Sequence, residues 1–274
     1  MTHPVIKAPF RGEEASYAYG LWVSDKNAHT LLRHTGGMVS FSSAMYIDLT
    51  AGVAAFASVN ANLGGYRPIL VTKFALDLLN AASLGQELPR LPPSPPSPLV
   101  VKNAADYAGT FTAPDGKKLL LVGKNEQLIL RQGNQRIVLE QAGQDRFIVK
   151  YPDFELFTLG FGREKGLVVE AFLGERWWTN ERYSGQKSFD YPKEWEAYTG
   201  HYRSDSPWYG SLRIVIRKGQ LLLEGEQALA QVEPGVFRPE GDVVADRITF
   251  DTIVNGKAGH LSLSGIDFYR TFTP

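Results

Sequence analysis

The sequence contains no cysteine, and only 3 of its 274 residues are methionine. Without cysteine the chain can form no disulfide framework and no thiolate nucleophile, an absence compatible with either side of a cell membrane. Its five histidines show no i,i+4 or His-x-His spacing, so we expect no zinc or iron site. No GxGxxG or Walker-type loop precedes a helix, and we therefore expect no cofactor.

An excess of charge of one sign is also absent. The chain has 29 basic and 29 acidic residues, with a pI near 7.0. No stripe of Lys and Arg forms, so a nucleic-acid partner has no electrostatic support. The sequence has no uninterrupted run of about 18 apolar residues, so no membrane span is predicted. The first 20 residues do not have the pattern of a signal peptide. The sequence does not decide the cellular compartment. Export as part of a longer protein is one of the alternatives.

Short apolar runs in the first 87 residues predict an antiparallel sheet. Residues 17–23 and 29–33 flank a polar turn and indicate a hairpin whose second strand ends at His34. Two further strands are expected over 41–48 and 53–59. Arg67-Pro68 is expected to open a helix, because proline is well tolerated in the first turn. The predicted apolar stripe of this helix consists of Leu70, Phe74, Leu78 and Ala82.

Residues 88–102 are expected to form a linker. Six of the ten residues from 89 to 98 are proline, which is typical of a stiff, extended polyproline-like segment. A spacer between folded segments is the preferred interpretation, and a recognition peptide for a proline-binding module is the alternative.

The remainder contains an internal repeat. YAGTF at 107–111 returns as YTGHY at 198–202, and short alternating strands with frequent turns follow each copy. This pattern is typical of small antiparallel barrels, so we predict two eight-stranded barrels over 103–186 and 187–274. Each copy closes on aromatic residues near an arginine, Arg182 in the first and Arg270 in the second. Trp177-Trp178 and Trp208-Tyr209 are interpreted as barrel packing, with a stacking platform for sugar or peptide as the alternative.

His34, Thr35, Gly36 and Gly37 form an HTGG motif inside the run TLLRHTGGMVSFSSAMYIDL, which YAYGLW precedes. In this context residues 17–60 resemble the C-terminal part of the catalytic domain of the β-lactamase and penicillin-binding-protein superfamily of serine hydrolases, which includes D-aminopeptidases and esterases. The barrels resemble the lipocalin-like modules attached to some members. The resemblance implies a mainly β chain: a partial α+β β-lactamase-like domain (1–87) with an antiparallel sheet and a C-terminal helix, followed by two lipocalin-like barrels.

The resemblance implies that His34, Thr35, Gly36 and Gly37 bind substrate. A histidine and a hydroxyl group can polarise a substrate carbonyl or carboxylate, and the two glycines let substrate lie close to the backbone. The family's nucleophile, a serine in Ser-x-x-Lys at a helix start, has no convincing counterpart. Ser184-Gly185-Gln186-Lys187 matches literally but lies in the connector between the barrels, and Ser58-Val59-Asn60 follows HTGG where the family's Ser-x-Asn element precedes it. No catalytic residue is therefore assigned.

Two hypotheses follow. The first is a portion of a serine hydrolase that cleaves a peptide, amide or ester in its complete form and is inactive alone. The second is a non-catalytic binding module in which the two barrels hold an apolar ligand or a partner, although their many apolar residues favour filled interiors. Under the first hypothesis the sheet has an uncovered apolar face. This predicts self-association, disorder of residues 1–30 or poor solubility unless a complementing N-terminal fragment is supplied.

Overall fold

The computed structural model describes residues 6–7, 15–38, 40–60, 68–94, 96–206, 208–241 and 246–272. Contacts divide the chain into two compact units, residues 1–94 and 95–274. Antiparallel strands dominate both units, so the mainly β class is confirmed. No helix among the described residues has both the length and the apolar character needed to cross a bilayer. The expected division between the barrels at 186 and 187 stays a prediction.

The first unit contains a sheet whose strands follow one another in chain order. Its described strands are β1 (Ile6–Lys7), β2 (Ala15–Ala18), β3 (Leu21–Lys26), β4 (His29–Met38), β5 (Phe41–Asp48) and β6 (Val53–Val59). The strands predicted over 41–48 and 53–59 are confirmed. The single strand predicted over 17–23 is wrong, because Tyr19 and Gly20 have positive φ angles of 48° and 88° and form a turn between β2 and β3. Residues 15–30 form paired strands and turns. The disorder of residues 1–30, expected as one of three alternatives, stays a prediction.

The helix α1 (Pro68–Ser83) packs against β5 and β6. Its existence is confirmed, but the predicted apolar stripe is wrong: its buried residues include Thr72 and Leu76, whereas Leu70 is 64% exposed. Thr72 can be buried because its hydroxyl group donates to the carbonyls of Pro68 and Ile69, at 3.1 Å each. Arg67 lies outside the described residues.

Barrel 1 and barrel 2 make up the second unit. Barrel 1 consists of β7 (Gly109–Thr112), β8 (Lys118–Lys124), β9 (Gln127–Gln132), β10 (Gln135–Val138), β11 (Glu140–Gly143), β12 (Arg146–Ile148), β13 (Leu159–Glu164), β14 (Leu167–Leu173) and β15 (Arg176–Thr179). Barrel 2 consists of β16 (Gly200–Arg203), β17 (Ser211–Arg217), β18 (Gln220–Leu223), β19 (Gln227–Glu233), β20 (Val236–Pro239), β21 (Ile248–Val254), β22 (Lys257–Leu263) and β23 (Ile266–Thr271). Short 3₁₀ turns cover Ala104–Tyr107, Pro152–Phe154 and Lys193–Ala197.

Barrel 2 is closed, with β16 paired to both β17 and β23. In barrel 1 the two ends of the sheet are β10 and β11, which are consecutive in the chain and separated only by Leu139. The stretch 135–143 therefore acts as one bent strand that pairs with β9 on one side and β12 on the other. In barrel 2 the single strand β19 pairs with both of its neighbours in the same way. The described barrels thus share one eight-strand plan, in which barrel 1 uses a broken strand.

The repeated YxG motif has the same structural role in both barrels. Gly109 and Gly200 have φ angles of 142° and 149°, which side-chain-bearing residues rarely adopt. The preceding tyrosine of each motif packs edge-on against a core phenylalanine, with ring centroids 4.9 Å apart for Tyr107 and Phe147, and 5.5 Å apart for Tyr198 and Phe237. The sequence repeat is therefore a repeat of structure.

The last residues of the linker expected over 88–102 pack on barrel 1, from Pro98 onward. The carbonyl of Pro98 accepts a hydrogen bond from the Gln141 amide at 2.7 Å. Val101 is fully buried in the core of barrel 1. The proline-rich part up to Ser94 has no regular secondary structure.

Candidate functional site

The HTGG motif lies in the last half of β4, which continues beyond its partner on one side. The ladder between β3 and β4 ends at the pair Trp22 and Arg33. The ladder between β4 and β5 continues to the pair Met38 and Phe41. In the described ladders, residues 34–37 (the edge segment) pair with β5 and lie beyond the end of the β3–β4 ladder. The expectation that the strand ends at His34 is wrong, because β5 continues to pair with β4 over four further residues.

The edge segment divides the four motif residues between the two faces of the sheet, since successive side chains of a strand alternate. His34 and Gly36 share a face with Ser43 and Met45 of β5. Thr35 lies on the opposite face, which α1 covers beside β5 and β6. His34 is half-buried, whereas Thr35, Gly36 and Gly37 are exposed. The structure therefore brings His34 and Thr35 together at an edge of the sheet and not on one face.

The two glycines keep this region open. A Cβ atom on Gly36 would lie 2.7 Å from Ser43 Oγ, whereas one on Gly37 would meet nothing within 4 Å. Ser43 is paired with Ser58 of β6, and Ser58 Oγ donates to the carbonyl of Ser42 at 3.4 Å. A group of hydroxyls thus lies beside the glycines. The sequence excluded Ser58 as part of a catalytic Ser-x-Asn element because it follows HTGG. It did not single out Ser43, whose only signal was its place in the run VSFSS.

Apolar side chains surround these hydroxyls on the His34 face. Met38, Phe41 and Phe56 are 56%, 53% and 69% exposed. The register places all three on the face of His34 and Gly36. Leu32 lies on the same face and is only 5% exposed. Part of this face is therefore buried, and the uncovered apolar face expected from the sequence stays a prediction.

Asp48 fixes the far end of β5 and is almost fully buried. Its carboxylate contacts His29 Nδ1 at 2.7 Å and accepts hydrogen bonds from Asn80 Nδ2 at 3.0 Å and from the Thr50 and Ala51 amides. Burial alone would raise the pKa of Asp48, but the hydrogen bonds from Ala51, His29 and Asn80 outweigh it and hold the pKa below its usual value. These contacts join β4, β5 and α1. No sequence pattern linked the three side chains, because 19 and 32 residues separate His29 and Asn80 from Asp48.

The literal Ser-x-x-Lys match lies in the second unit, in a non-helical connector. Ser184 Oγ donates to Glu164 Oε2 at 2.8 Å, and the Ser184 amide contacts the same oxygen at 3.2 Å. A serine held by a carboxylate in an irregular segment differs from a nucleophile at a helix start with lysine as its base.

Packed side chains fill the described interiors of both barrels. Phe111, Phe147 and Leu128 are fully buried in barrel 1, and Tyr202 and Phe237 in barrel 2. An apolar ligand inside a barrel would have to displace them. The binding-module hypothesis in its original form therefore has no support from these interiors.

Aromatic side chains can act as a stacking platform for sugar or peptide only where they are exposed to solvent. Trp177 and Trp178 are 8% and 5% exposed, which fits packing. Trp208 and Tyr209 are 56% and 43% exposed.

Among the described residues, no group of three or more His, Asp or Glu could hold a metal ion. His260 in barrel 2 instead contacts two carboxylates, with Nδ1 2.9 Å from Asp251 Oδ1 and Nε2 3.1 Å from Asp267 Oδ1. Burial alone would lower the pKa of His260, and the two carboxylates outweigh it and raise the pKa.

His260→Gln is expected to show a pH-dependent loss of stability. A raised pKa in the folded state means that the stabilisation is fully present below the unfolded value of about 6.5 and is lost as the pH rises through the folded value. We expect the free energy of unfolding of the wild type to exceed that of the variant by about 0.5–1 kcal/mol at pH 5.5. Urea unfolding of both proteins from pH 5.5 to 9 measures the difference. A difference that stays constant or grows with pH would contradict the assignment.

A scan of protein-family models and a search of curated proteins find no match. Solved structures show slight similarity. The octameric penicillin-binding protein homologue from Pyrococcus abyssi is 17% identical with a TM-score of 0.27, over 66% of this chain and 40% of that one. SurE with D-Leu is 20% identical with a TM-score of 0.25, over 60% of this chain and 38% of that one. This chain thus spans about 40% of the length of the structures that it matches. The overlaps are too slight to transfer a function.

Proposed function

We propose that this chain provides the substrate-binding strand of a β-lactamase-related serine hydrolase that acts on a peptide, amide or ester. The edge segment carries this proposal, because β4 runs past β3 and residues 34–37 have no second strand partner among the described residues. Alternate residues of such an edge direct their N–H and C=O groups outward. An extended substrate can therefore add to the sheet as a further strand.

Each motif residue has a part in this binding. Gly36 and Gly37 allow the substrate backbone to come close, since neither carries a side chain at the exposed end of β4. His34 and Thr35 offer a ring nitrogen and a hydroxyl group to substrate atoms on the two sides of the edge. Outward N–H groups of the segment are suited to a carbonyl oxygen that gains negative charge.

The proposal assigns the acylating serine to residues other than these 274, because no serine here combines a helix start with a lysine three residues later. The chain by itself is then expected to bind substrate without turning it over. A fluorophosphonate or fluorescent penicillin probe, followed by intact-mass analysis, is expected to leave this chain unlabelled. Stoichiometric labelling of one serine would contradict this assignment and make the chain an enzyme by itself.

Binding at the edge segment can be tested separately from chemistry. An N-acetylated dipeptide, the corresponding ester and a penicillin are titrated into ¹⁵N-labelled chain, and we expect the largest amide shifts at residues 34–37. Gly36→Val is expected to weaken the best-bound compound about tenfold, because a branched side chain pushes substrate away from the backbone. Ala54→Val adds similar bulk at an exposed site on β6 and is expected to change affinity less than about twofold.

Two results would overturn the proposal. One is that all three compounds leave the amide signals of residues 34–37 unchanged. The other is that Gly36→Val and Ala54→Val change affinity equally, since binding would then not depend on the edge segment.

A further inference from the structure

A groove of about 1020 Å³ opens at one end of barrel 1, within the compact unit of residues 95–274. Three turns of barrel 1 form one side: the β7–β8 turn, the Pro152–Phe154 turn and the β14–β15 turn. The other side is formed by the connector between the barrels and by residues 216–219 of barrel 2, which include the end of β17 and the turn to β18. Ligand sites commonly lie at the mouths of barrels.

The floor of this groove is apolar. Leu119, Phe154 and Trp178 line it and belong to the buried core of barrel 1, with exposures of 3%, 5% and 5%. Trp177 lies beside them and is 8% exposed. The groove thus reaches the top of the filled barrel, and a ligand there would contact aromatic surface without entering the interior.

Arg217 is a charged residue of the groove whose contacts are with uncharged groups. Its Nη1 donates to the carbonyl of Gly174 at 2.7 Å, and its Cζ lies 4.3 Å from the centre of the Phe172 ring. Neither partner carries a charge. Burial, together with the nearby Arg146, lowers the pKa of Arg217 to about 10. Arg217 is half-buried, and a partly buried guanidinium is stabilised best by a bidentate anion.

Glu170 and Glu226, the two carboxylates whose charges act on Arg217, are engaged by other cations. Glu226 pairs with Arg146 at 3.0 Å. Glu170 pairs with Lys218 at 2.8 Å and also accepts a hydrogen bond from Trp177 Nε1 at 2.6 Å. The Lys218 ammonium lies 5.3 to 5.7 Å from the rings of Trp177, Tyr183 and Phe189, which hold it in place. In the described part of this region, Arg217 is thus left without an ion-pair partner.

We propose that the groove binds a small organic anion, whose carboxylate or phosphate oxygens pair with Arg217 and whose apolar part lies over the floor of Leu119, Phe154 and Trp178. Six Lys and Arg residues, Lys118 and Lys187 among them, and four Asp and Glu residues line the groove. The excess of positive charge favours the approach of such a ligand. The site is independent of the edge segment and of the proposed hydrolase role.

The test measures binding of 1-naphthoate, its neutral analogue 1-naphthalenemethanol and inorganic phosphate by calorimetry, with the tryptophan fluorescence of the full chain as a second readout. Naphthoate is expected to bind with loss or shift of tryptophan emission, and the neutral analogue at least about tenfold more weakly. Tighter binding of naphthoate than of phosphate assigns the natural ligand to organic carboxylates. The reverse order assigns it to phosphorylated compounds.

Arg217→Gln is expected to weaken the preferred anion by about tenfold to a hundredfold, the effect of losing a charge-assisted hydrogen bond. Arg136→Gln is the matched control, because it removes the same charge from an exposed position of β10 outside the groove. Thermal unfolding of each variant shows whether the fold is retained.

A second pair of variants avoids the interface between the barrels. Lys118→Glu and Lys124→Glu alter exposed lysines at opposite ends of β8, and only Lys118 lines the groove. We expect Lys118→Glu to weaken anion binding several-fold more than Lys124→Glu. Failure of both anions to bind, equal affinity for the neutral analogue, or equal effects within either variant pair would overturn the proposal.

Discussion

Asp48→Ala is expected to lower the free energy of unfolding of the sheet unit by about 2–4 kcal/mol. The reason is that the Asp48 carboxylate receives donors from His29, Asn80 and two backbone amides at a nearly fully buried position. Removing it leaves these donors without their acceptor and disconnects α1 from the end of β5. Urea unfolding followed by circular dichroism measures the loss.

Asp25→Ala is the control for this prediction. Asp25 is an exposed carboxylate in the same sheet and accepts a hydrogen bond from Thr30 Oγ1 at 2.7 Å. Its removal is expected to cost less than about 1 kcal/mol. If the two variants lose similar stability, Asp48 does not have the role that its contacts indicate.

The pH dependence of the same site has a definite sign. Because the pKa of Asp48 is lowered in the folded state, its contribution is present above the unfolded value of about 3.9 and is lost as the pH falls through the folded value. Asp48→Asn keeps the shape but not the charge. The stability difference between wild type and this variant is therefore expected to shrink as the pH falls below about 3.9.

Arg270→Met is expected to destabilise barrel 2 by about 3–5 kcal/mol. The Arg270 guanidinium donates to the carbonyls of Thr199 and Ala197 at 2.8 and 3.0 Å, and to Tyr202 OH at 2.6 Å. It also donates to Ala258 O and stacks on the Tyr202 ring. Methionine would fill part of the volume but would leave these acceptors without a donor. Thermal unfolding measures the change.

Barrel 1 offers an internal comparison. Asn180 takes the place of Arg270, and its Nδ2 donates to the carbonyl of Val168 at 2.9 Å, as Arg270 does to the carbonyl of Ala258. Arg182, expected from the sequence to correspond to Arg270, is not the equivalent residue. Asn180→Ala is expected to cost about 1 kcal/mol. An equal or larger effect than that of Arg270→Met would contradict the account of both barrels.

Much of the fold could be predicted from local sequence. Short apolar runs located β5 and β6, and Pro68 marked the start of α1, because these signals act over a few neighbouring residues. The repeated tyrosine and glycine predicted two related barrels, since only glycine readily adopts the φ angles found at Gly109 and Gly200. The proline-rich segment marked the separation of the sheet from the barrels.

The candidate site was predictable only in part. The HTGG motif indicated the strand, but the end of the β3–β4 ladder depends on where the chain turns between β2 and β3, at Tyr19 and Gly20. That turn is set by two positive φ angles that YAYGLW did not reveal.

Contacts between distant residues were decided by the tertiary structure alone. The sequence by itself determined the strands, the helix and the repeat, because short-range periodicity and backbone preference control them. Only packing brought His29 and Asn80 to Asp48, turned Thr72 of α1 toward the sheet, and joined the ends of barrel 1 through a strand bent at Leu139. Packing likewise decided the position of Arg217 beside the groove. The physical reason is that burial and ion pairing depend on which surfaces meet, and no local pattern specifies that.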